Sequence, residues 1–181
     1  KGAADYYEGH FCGGSLIYPY WVLTAALCVA NISPDAVQVV VGAYNLLQPQ
    51  NTQAIDVLDI IIHPDYVDPD NGDDIALILL AHPPDPLPQT VDLAFDPMTH
   101  PPGTNATVIG WGNTVDGDDK SAPAILQSAA VPVVSIAEAN QPASYGGGVI
   151  SSMLPTGRAE GGIDSCKGDS GGPLVIPDPE T

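Results

Sequence analysis

The chain has 181 residues, 44% of them hydrophobic, which is enough to bury a sizeable core and excludes a disordered chain. It carries 4 Lys and Arg residues against 22 Asp and Glu residues, a formal net charge of −18, so it would repel nucleic acid and anionic membranes. No apolar run approaches the roughly 18 residues that would span a bilayer. The opening residues are polar, so we expect no signal peptide in this sequence.

Glycines and prolines, 19 of each, divide the chain into short runs rich in β-branched and aromatic residues. Such punctuation predicts many short strands joined by turns, and therefore an all-β barrel or sandwich. Helical periodicity is limited to two short pieces, Ala25–Val29 and Ser135–Asn140. The predicted strands, in chain order, are Phe11–Ile17, Trp21–Ala25, Val37–Ala43, Ala54–His63, Ile75–Leu80, Asn105–Trp111, Ile125–Val134 and Pro173–Ile176.

A proline-rich stretch from Asp96 to Gly103 separates the first five predicted strands from the last three. Each proline biases the residue before it away from helix, so we expect this stretch to be an extended connector. We therefore divide the chain into a first half, residues 1–95, a connector, residues 96–104, and a second half, residues 105–181. Together they are expected to form one domain.

The most informative stretch runs from Gly161 to Pro173 and places one hydroxyl, that of Ser170, among glycines. Glycines let backbone N–H groups converge, because no Cβ restricts their dihedral angles or their close approach. Converging N–H groups beside a nucleophile can stabilise the oxyanion of a tetrahedral intermediate. The stretch therefore indicates a nucleophilic serine. The alternative is a glycine-rich surface turn without chemistry.

The sequence resembles the trypsin/chymotrypsin family of serine proteases over nearly its whole length. Asp164–Pro173 resembles the family's segment around the nucleophile, DSC-x-GDSGGP. The resemblance implies two antiparallel six-stranded β-barrels with the active site in the cleft between them. Both ends are short against the family's pattern, so we expect the second barrel to be incomplete. Further stretches that resemble family motifs are His10–Ile17, Trp21–Ala26, Asp74–Leu77, Gly110–Gly112 and Val131–Val133.

By position within these motifs, the resemblance implies Ser170 as the nucleophile and Asp74 as the carboxylate that orients the base. The N–H groups of Gly168 and Ser170 would form the oxyanion hole. Asp169 would receive the amino terminus that zymogen cleavage creates. Asp164 would lie at the base of the primary specificity pocket, where a buried carboxylate favours Arg or Lys. The alternative for Asp164 is a solvated loop carboxylate.

The general base is missing from its expected position. The family motif TAAHC stands here as TAALC, which places Leu27 where the histidine belongs. A leucine cannot accept a proton, and in a related triad removal of the histidine costs on the order of 10⁶ in turnover. None of the chain's histidines has the expected location, although His10 is near the Asp169 region in the family's zymogens. These histidines are His10, His63, His82 and His100.

We therefore predict a trypsin-like serine protease homologue with an Arg/Lys-type pocket, impaired in hydrolysis, that acts by binding a peptide or an inhibitor. The alternative is an active trypsin-like endopeptidase that cleaves after Arg or Lys, in which position 27 is mutated or misread. A purely structural β-barrel module is a third hypothesis. Another family disulfide has lost both halves, at Ala139 and Pro155, and this leaves no stray thiol. Such a paired loss favours natural divergence.

The three cysteines, Cys12, Cys28 and Cys166, leave one without a partner in this sequence. The resemblance implies a disulfide between Cys12 and Cys28, beside the missing base. We expect a secreted, monomeric protein. Its partner would be a peptide, protein substrate or inhibitor with an exposed Arg or Lys, and neither nucleic acid nor a membrane.

No cofactor and no metal ion are expected. The loop of residues 42–53 lacks the carboxylates that Ca²⁺ requires. A second acidic stretch, residues 68–74, contains four aspartates, but their spacing does not match an EF-hand loop. We expect it to be a solvated turn that leads to Asp74. No zinc-type spacing of His and Cys is present.

Overall fold

The structure is a computed structural model that describes residues 1–2, 5–96 and 100–177. In this part of the chain the α-helices are α1 Tyr6–Gly9, α2 Ala26–Val29 and α3 Ile136–Ala139, and 3₁₀ turns lie at Pro34–Ala36 and Pro69–Asn71. The strands are β1 Ser15–Tyr18, β2 Trp21–Thr24, β3 Gln38–Val41, β4 Gln53–Ile62, β5 Ala76–Leu80, β6 Asn105–Gly110, β7 Gln127–Pro132 and β8 Leu174–Val175.

The strands form two antiparallel sheets, one in each half of the chain. The first half has a five-stranded sheet with the order β1-β2-β5-β4-β3, and the second has a three-stranded sheet with the order β7-β6-β8. Each predicted strand has a counterpart, and the predicted all-β class is confirmed. Within the described ranges neither sheet reaches six strands, so the count of two six-stranded barrels stays a prediction. The expected connector lies partly outside the described residues, which omit 97–99.

The core of the first half follows from alternation along β2, β4 and β5. Successive side chains of a strand point to opposite faces, and in β5 Ala76, Ile78 and Leu80 are buried while the two leucines between them are half-buried. Ile78 pairs with Val22 of β2, which is also buried. Each buried Val, Ile or Leu side chain contributes about 1.5–3 kcal/mol. This core fixes the register of β2 against β5, and Leu27 and Asp74 lie at the edge where β2 ends and β5 begins.

Helix α1 is an element that the sequence patterns did not predict. Asp5 is its N-cap, and the carboxylate accepts a hydrogen bond from the Glu8 backbone N–H at 2.8 Å. Such a cap satisfies one of the free N–H groups at the start of a helix. The Tyr7 hydroxyl donates to the Ala122 carbonyl at 2.8 Å, so this helix links the first half to the second.

No helix within the described ranges has both the length and the apolar character needed to cross a lipid bilayer.

Candidate functional site

The β2–β5 pairing brings Leu27 and Asp74 together. Thr24 at the end of β2 lies opposite Ala76 at the start of β5. The chain leaves β2 into α2, which contains Leu27, and it enters β5 just after Asp74. Asp74 Oδ1 accepts a hydrogen bond from the Leu27 backbone N–H at 2.7 Å. The structure therefore places the predicted carboxylate against the position where the base is expected, and the side chain at that position is a leucine, 45% exposed.

The segment around Ser170 consists of two consecutive tight turns. In the first, the Asp169 N–H donates to the Cys166 carbonyl at 2.9 Å, and in the second the Gly172 N–H donates to the Asp169 carbonyl, also at 2.9 Å. The third residue of each turn is a glycine with positive φ, 103° at Gly168 and 75° at Gly171. A type II turn requires such a φ at its third position, which explains the spacing of the two glycines. Ser170 is the second residue of the second turn.

Residues of the first half of the chain contact the backbone carbonyl oxygen of Ser170. The Gly13 N–H donates to the Ser170 carbonyl at 2.8 Å. Cys12 and Cys28 form a disulfide, and Cys28 Sγ lies 3.6 Å from the same carbonyl oxygen. Because Cys28 follows Leu27, this contact brings the segment of the predicted nucleophile close to the position where the base is expected.

The Asp169 carboxylate is held by backbone N–H groups from the second half. Oδ1 accepts from the Gly112 N–H at 2.8 Å, and Oδ2 accepts from the Cys166 N–H at 2.9 Å. A Cβ at Gly110 or at Gly112 would overlap with this carboxylate. The two glycines therefore leave the space that Asp169 occupies, and hydrogen bonds to a charged acceptor are among the stronger ones in proteins. This socket, the space between Gly110, Gly112 and Cys166 that holds the carboxylate, fixes the backbone just before Ser170.

His10 supports the first turn from the other side. Its Nε2 lies 3.0 Å from the Gly168 carbonyl oxygen, and because a carbonyl only accepts, this nitrogen carries the proton. The His10 and Trp111 rings meet edge to face, with 5.6 Å between their centroids. Burial lowers the pKa of His10 below its usual value, and the Gly168 carbonyl and the Asp169 carboxylate partly oppose that shift.

The lowered pKa of His10 predicts a pH-dependent stability. The unfolded chain takes up a proton on this histidine at higher pH than the folded chain does, so the free energy of unfolding should decrease as pH falls below about 6.5. Part of that decrease should be absent from His10→Gln, whose amide can still donate to the Gly168 carbonyl. Urea unfolding at pH 8 and pH 5 measures the difference. An identical pH dependence in both proteins would contradict the prediction.

Asp164 shares a cavity with Ser170, but it is not buried there. The open cavity has a volume of about 410 Å³, and Asp164, Asp169 and Ser170 are among the residues that line it. The Asp164 carboxylate accepts a hydrogen bond from the Ser165 N–H at 2.8 Å and is otherwise exposed. Residues 158–165 form an exposed loop at the cavity, so a buried Asp164 carboxylate stays a prediction. Asp164 and the predicted nucleophile, Ser170, line the same cavity.

Other polar residues named by the sequence have local structural contacts. His63 Nδ1 accepts from the Asp65 N–H at 3.3 Å, and His82 Nδ1 lies 2.9 Å from the Pro83 carbonyl oxygen, so both rings bond their own loops. Asp68 caps the second 3₁₀ turn through the N–H groups of residues 70 and 71. In the described ranges no three His, Cys, Asp or Glu side chains are grouped as a metal ion would require.

Two contacts at this site were not anticipated. The glycines of the Gly110-Trp111-Gly112 motif leave the space for the Asp169 carboxylate, and their spacing at the end of a strand was the available signal. The second contact is an ion pair between Lys167 Nζ and Asp119, 2.9 Å long and solvent-exposed. Nothing in the local sequence pairs these two residues, because 48 positions separate them.

Comparisons with known proteins agree on one family. A sequence profile of one family, Trypsin, matches residues 2–181. Serine protease 1 of Rattus norvegicus is 40% identical over 167 residues, which cover 92% of this chain and 65% of that protein. Trypsin-3 of Salmo salar and the trypsin of Saccharopolyspora erythraea are each 38% identical over 92% of this chain.

The chain spans about two thirds of the length of these relatives, 65% of the rat protein and 67% of the salmon protein. Within that span, the matched profile runs through both sheets and through the stretch around Ser170. The all-β fold, the disulfide and the extent of the match lead to one conclusion: the chain belongs to the trypsin family of serine proteases.

Proposed function

We propose that this chain binds peptides or protein inhibitors through an exposed Arg or Lys and hydrolyses them poorly. One observation carries the proposal: the backbone N–H that Asp74 binds belongs to Leu27. A serine hydroxyl is a weak nucleophile until a neighbouring base takes its proton, and a leucine side chain has no atom that can do so. The site keeps a serine and a carboxylate without the group that would connect them.

The proposed cation site is the cavity that Asp164 and Ser170 share. Its volume of about 410 Å³ lies in the range of small-molecule pockets and suits one long side chain. The Asp164 carboxylate would pair with the guanidinium or ammonium group of that side chain. The net charge of −18 would also attract a basic peptide at low salt.

The proposed binding mode includes a second contact, between backbone N–H groups of this chain and a carbonyl oxygen of the bound peptide. The turns at Cys166–Asp169 and Asp169–Gly172 support this contact. Both turns are closed by backbone hydrogen bonds, so the N–H groups of Gly168 and Ser170 have defined directions. We assign to them the carbonyl oxygen of the bound peptide. Such donors would hold a peptide bond beside Ser170 even when no base completes the reaction.

The proposed cation site predicts that Asp164→Asn weakens the binding of a cationic ligand. Benzamidine, an aromatic amidine cation, should bind the native chain, and the substitution should raise its Kd at least about fivefold, because a charge-assisted contact is lost. Isothermal titration measures both values. Asp59→Asn is the matched control, since this exposed aspartate also accepts from the N–H of the residue that follows it, at 2.9 Å. Equal Kd values for native protein and Asp164→Asn would contradict the proposed cation site.

The second candidate function is an active trypsin-like endopeptidase that cleaves after Arg or Lys. It is favoured by the hydrogen bond between Asp74 and position 27 and by the contacts that hold the Asp169 carboxylate next to Ser170 in the chain. A chromogenic arginine amide, tested on protein from the natural source, separates the two functions. Turnover within about a hundredfold of a trypsin would establish the second function and exclude the first. The Cys12–Cys28 disulfide favours an oxidising, extracellular location for either.

A further inference from the structure

We infer that the Arg158–Ala159 peptide bond is a processing site, which a separate endopeptidase with Arg specificity cuts. In that cut water adds across the bond: its hydroxyl goes to the Arg158 carbonyl carbon, and its other proton goes to the Ala159 nitrogen. The cut would free one end of the loop that contains Asp164 and so weaken cation binding. The cleavage is independent of the proposed function, whereas its effect on binding rests on that function.

Arg158 begins the exposed loop of residues 158–165, which is attached to the fold only at its two ends. Just before the loop, the Gly157 N–H donates to a carbonyl of β7 at 3.0 Å. Just after it, the Cys166 N–H donates to the Asp169 carboxylate at 2.9 Å. Between these attachments, the described structure has no backbone hydrogen bond from residues 159–165 to any other segment.

Few contacts would oppose the opening of this loop. Within it, the Gly161 N–H donates to the Arg158 carbonyl at 2.9 Å, and a Cβ at Gly161 or Gly162 would have no atom within 4 Å. The Arg158 guanidinium makes one long hydrogen bond, 3.3 Å to the Ala130 carbonyl, and lies 4.0 Å from Glu160. Exposed loops with so few contacts open at low cost, and they are preferred positions of proteolytic cutting.

The sequence offers an endopeptidase with Arg or Lys specificity four bonds, those after Lys1, Lys120, Arg158 and Lys167. Cleavage after Lys1 would remove a single residue. The Lys167 carbonyl accepts a hydrogen bond from the Asn113 N–H at 2.9 Å, and this lysine lies in a tight turn. The fold therefore protects the bond after Lys167.

The bond after Lys120 is also held in a turn. The Lys120 N–H donates to the Asp118 carboxylate at 2.9 Å, and the Ser121 N–H donates to the Asp118 carbonyl at 3.0 Å. The Ser121 hydroxyl adds a hydrogen bond to the same carbonyl at 2.8 Å. These contacts must break before an endopeptidase can extend the segment, so Arg158 is the favoured position.

A cut at this position would act on the cavity through Asp164, which lies in the loop and lines the cavity together with Ser170. After the cut, the carboxylate would be attached on one side only and would lose more conformational freedom when it binds a cation. The fragment that begins at Ala159 should remain in place, because β8 pairs with β6 and Asp169 keeps its hydrogen bond to Gly112.

Limited digestion of the native chain by a trace of trypsin tests the inference, with mass spectrometry of the intact protein as the readout. The first products should be residues 1–158 and 159–181, which should elute together from a size-exclusion column. Arg158→Gln should slow the loss of intact chain at least about tenfold, because cleavage depends on how often a susceptible bond is open. Lys120→Gln is the matched control at another exposed basic residue, and it should change that rate less than about twofold.

The effect on binding is measured after removal of trypsin. The cut chain should bind benzamidine with a Kd at least about threefold higher than the uncut chain, whereas Arg158→Gln treated in the same way should keep its Kd. A sample unfolded in urea is the control for accessibility, since it should also be cut after Lys120 and Lys167.

The outcomes separate the processing site from the proposed function. A chain that resists trypsin, or one that is cut first after Lys120 or Lys167, overturns the processing site. A cut chain with an unchanged Kd overturns the effect on the cavity. If benzamidine does not bind the uncut chain, the proposed cation site fails and the effect on binding fails with it, while the fragments still decide whether Arg158 is cut.

Discussion

The Leu27→His variant should hydrolyse peptide bonds after Arg or Lys, with kcat/KM raised by a factor on the order of 10⁴–10⁶ over the native chain. The physical reason is that Asp74 already lies against position 27, where it can orient an imidazole toward Ser170. A gain of that size corresponds to roughly 5–8 kcal/mol of barrier. The assay is steady-state hydrolysis of a chromogenic arginine amide by both proteins at equal concentration.

Three control variants test whether the gain in hydrolysis depends on the imidazole, on Ser170 and on Asp74. Leu27→Gln introduces a polar side chain of similar size that is not a base, and it should remain inactive. Adding Ser170→Ala to the histidine variant should abolish the gain, because the nucleophile is removed. Adding Asp74→Asn to the histidine variant should reduce its turnover by a factor of up to about 10⁴, the cost known for the corresponding change in the family's triad. If the histidine variant stays inactive yet binds benzamidine, Ser170 is not poised for attack.

Gly171→Ala should cost far more stability than Gly117→Ala, although both glycines have nearly the same positive φ, 75° and 73°. Alanine at either position meets the same backbone strain, about 1 kcal/mol. At Gly171 a Cβ would also lie 2.8 Å from the Ala25 nitrogen and 2.9 Å from the Gly13 oxygen, whereas at Gly117 no atom lies within 4 Å. We expect a total loss of about 3 kcal/mol or more at Gly171.

Urea unfolding of the two variants measures this difference directly. Because the strain in φ is common to both, the difference between their free energies of unfolding isolates the contact of the Ser170 turn with the first half. Gly171→Ala should also weaken benzamidine binding, since the turn would have to move away from Gly13. Equal stability losses would show that this contact is not tight in the protein.

Sequence patterns were sufficient for the strands, because strand formation depends largely on neighbours in the chain. Gly168 and Gly171 have the spacing of two tight turns, whereas β5 consists of five apolar residues, so its alternating burial could not be read from the sequence. The juxtaposition of Leu27 and Asp74 came from resemblance to a family. The register of β2 against β5 explains it, since Thr24 pairs with Ala76.

The features that sequence patterns did not reveal depend on contacts between distant segments. The exposure of Asp164 follows from the path of a loop, which hydrophobic periodicity does not describe. The Asp169 socket joins residues 57 positions apart, and its signal consists of glycines, whose role is to leave space. Helix α1 is one turn long, too short for a helical period, and only the Asp5 to Glu8 spacing indicated a cap.

The hydrogen bond from the Leu27 N–H to Asp74 has a consequence for the history of the site. Every residue except proline offers the same N–H, so the charge of Asp74 remains satisfied whatever side chain follows Ala26. A change of the side chain at position 27 would therefore leave Asp74 with this hydrogen-bond donor. Under the proposed function, a lineage could lose and regain hydrolysis at this one position while the fold that carries the proposed binding site is kept.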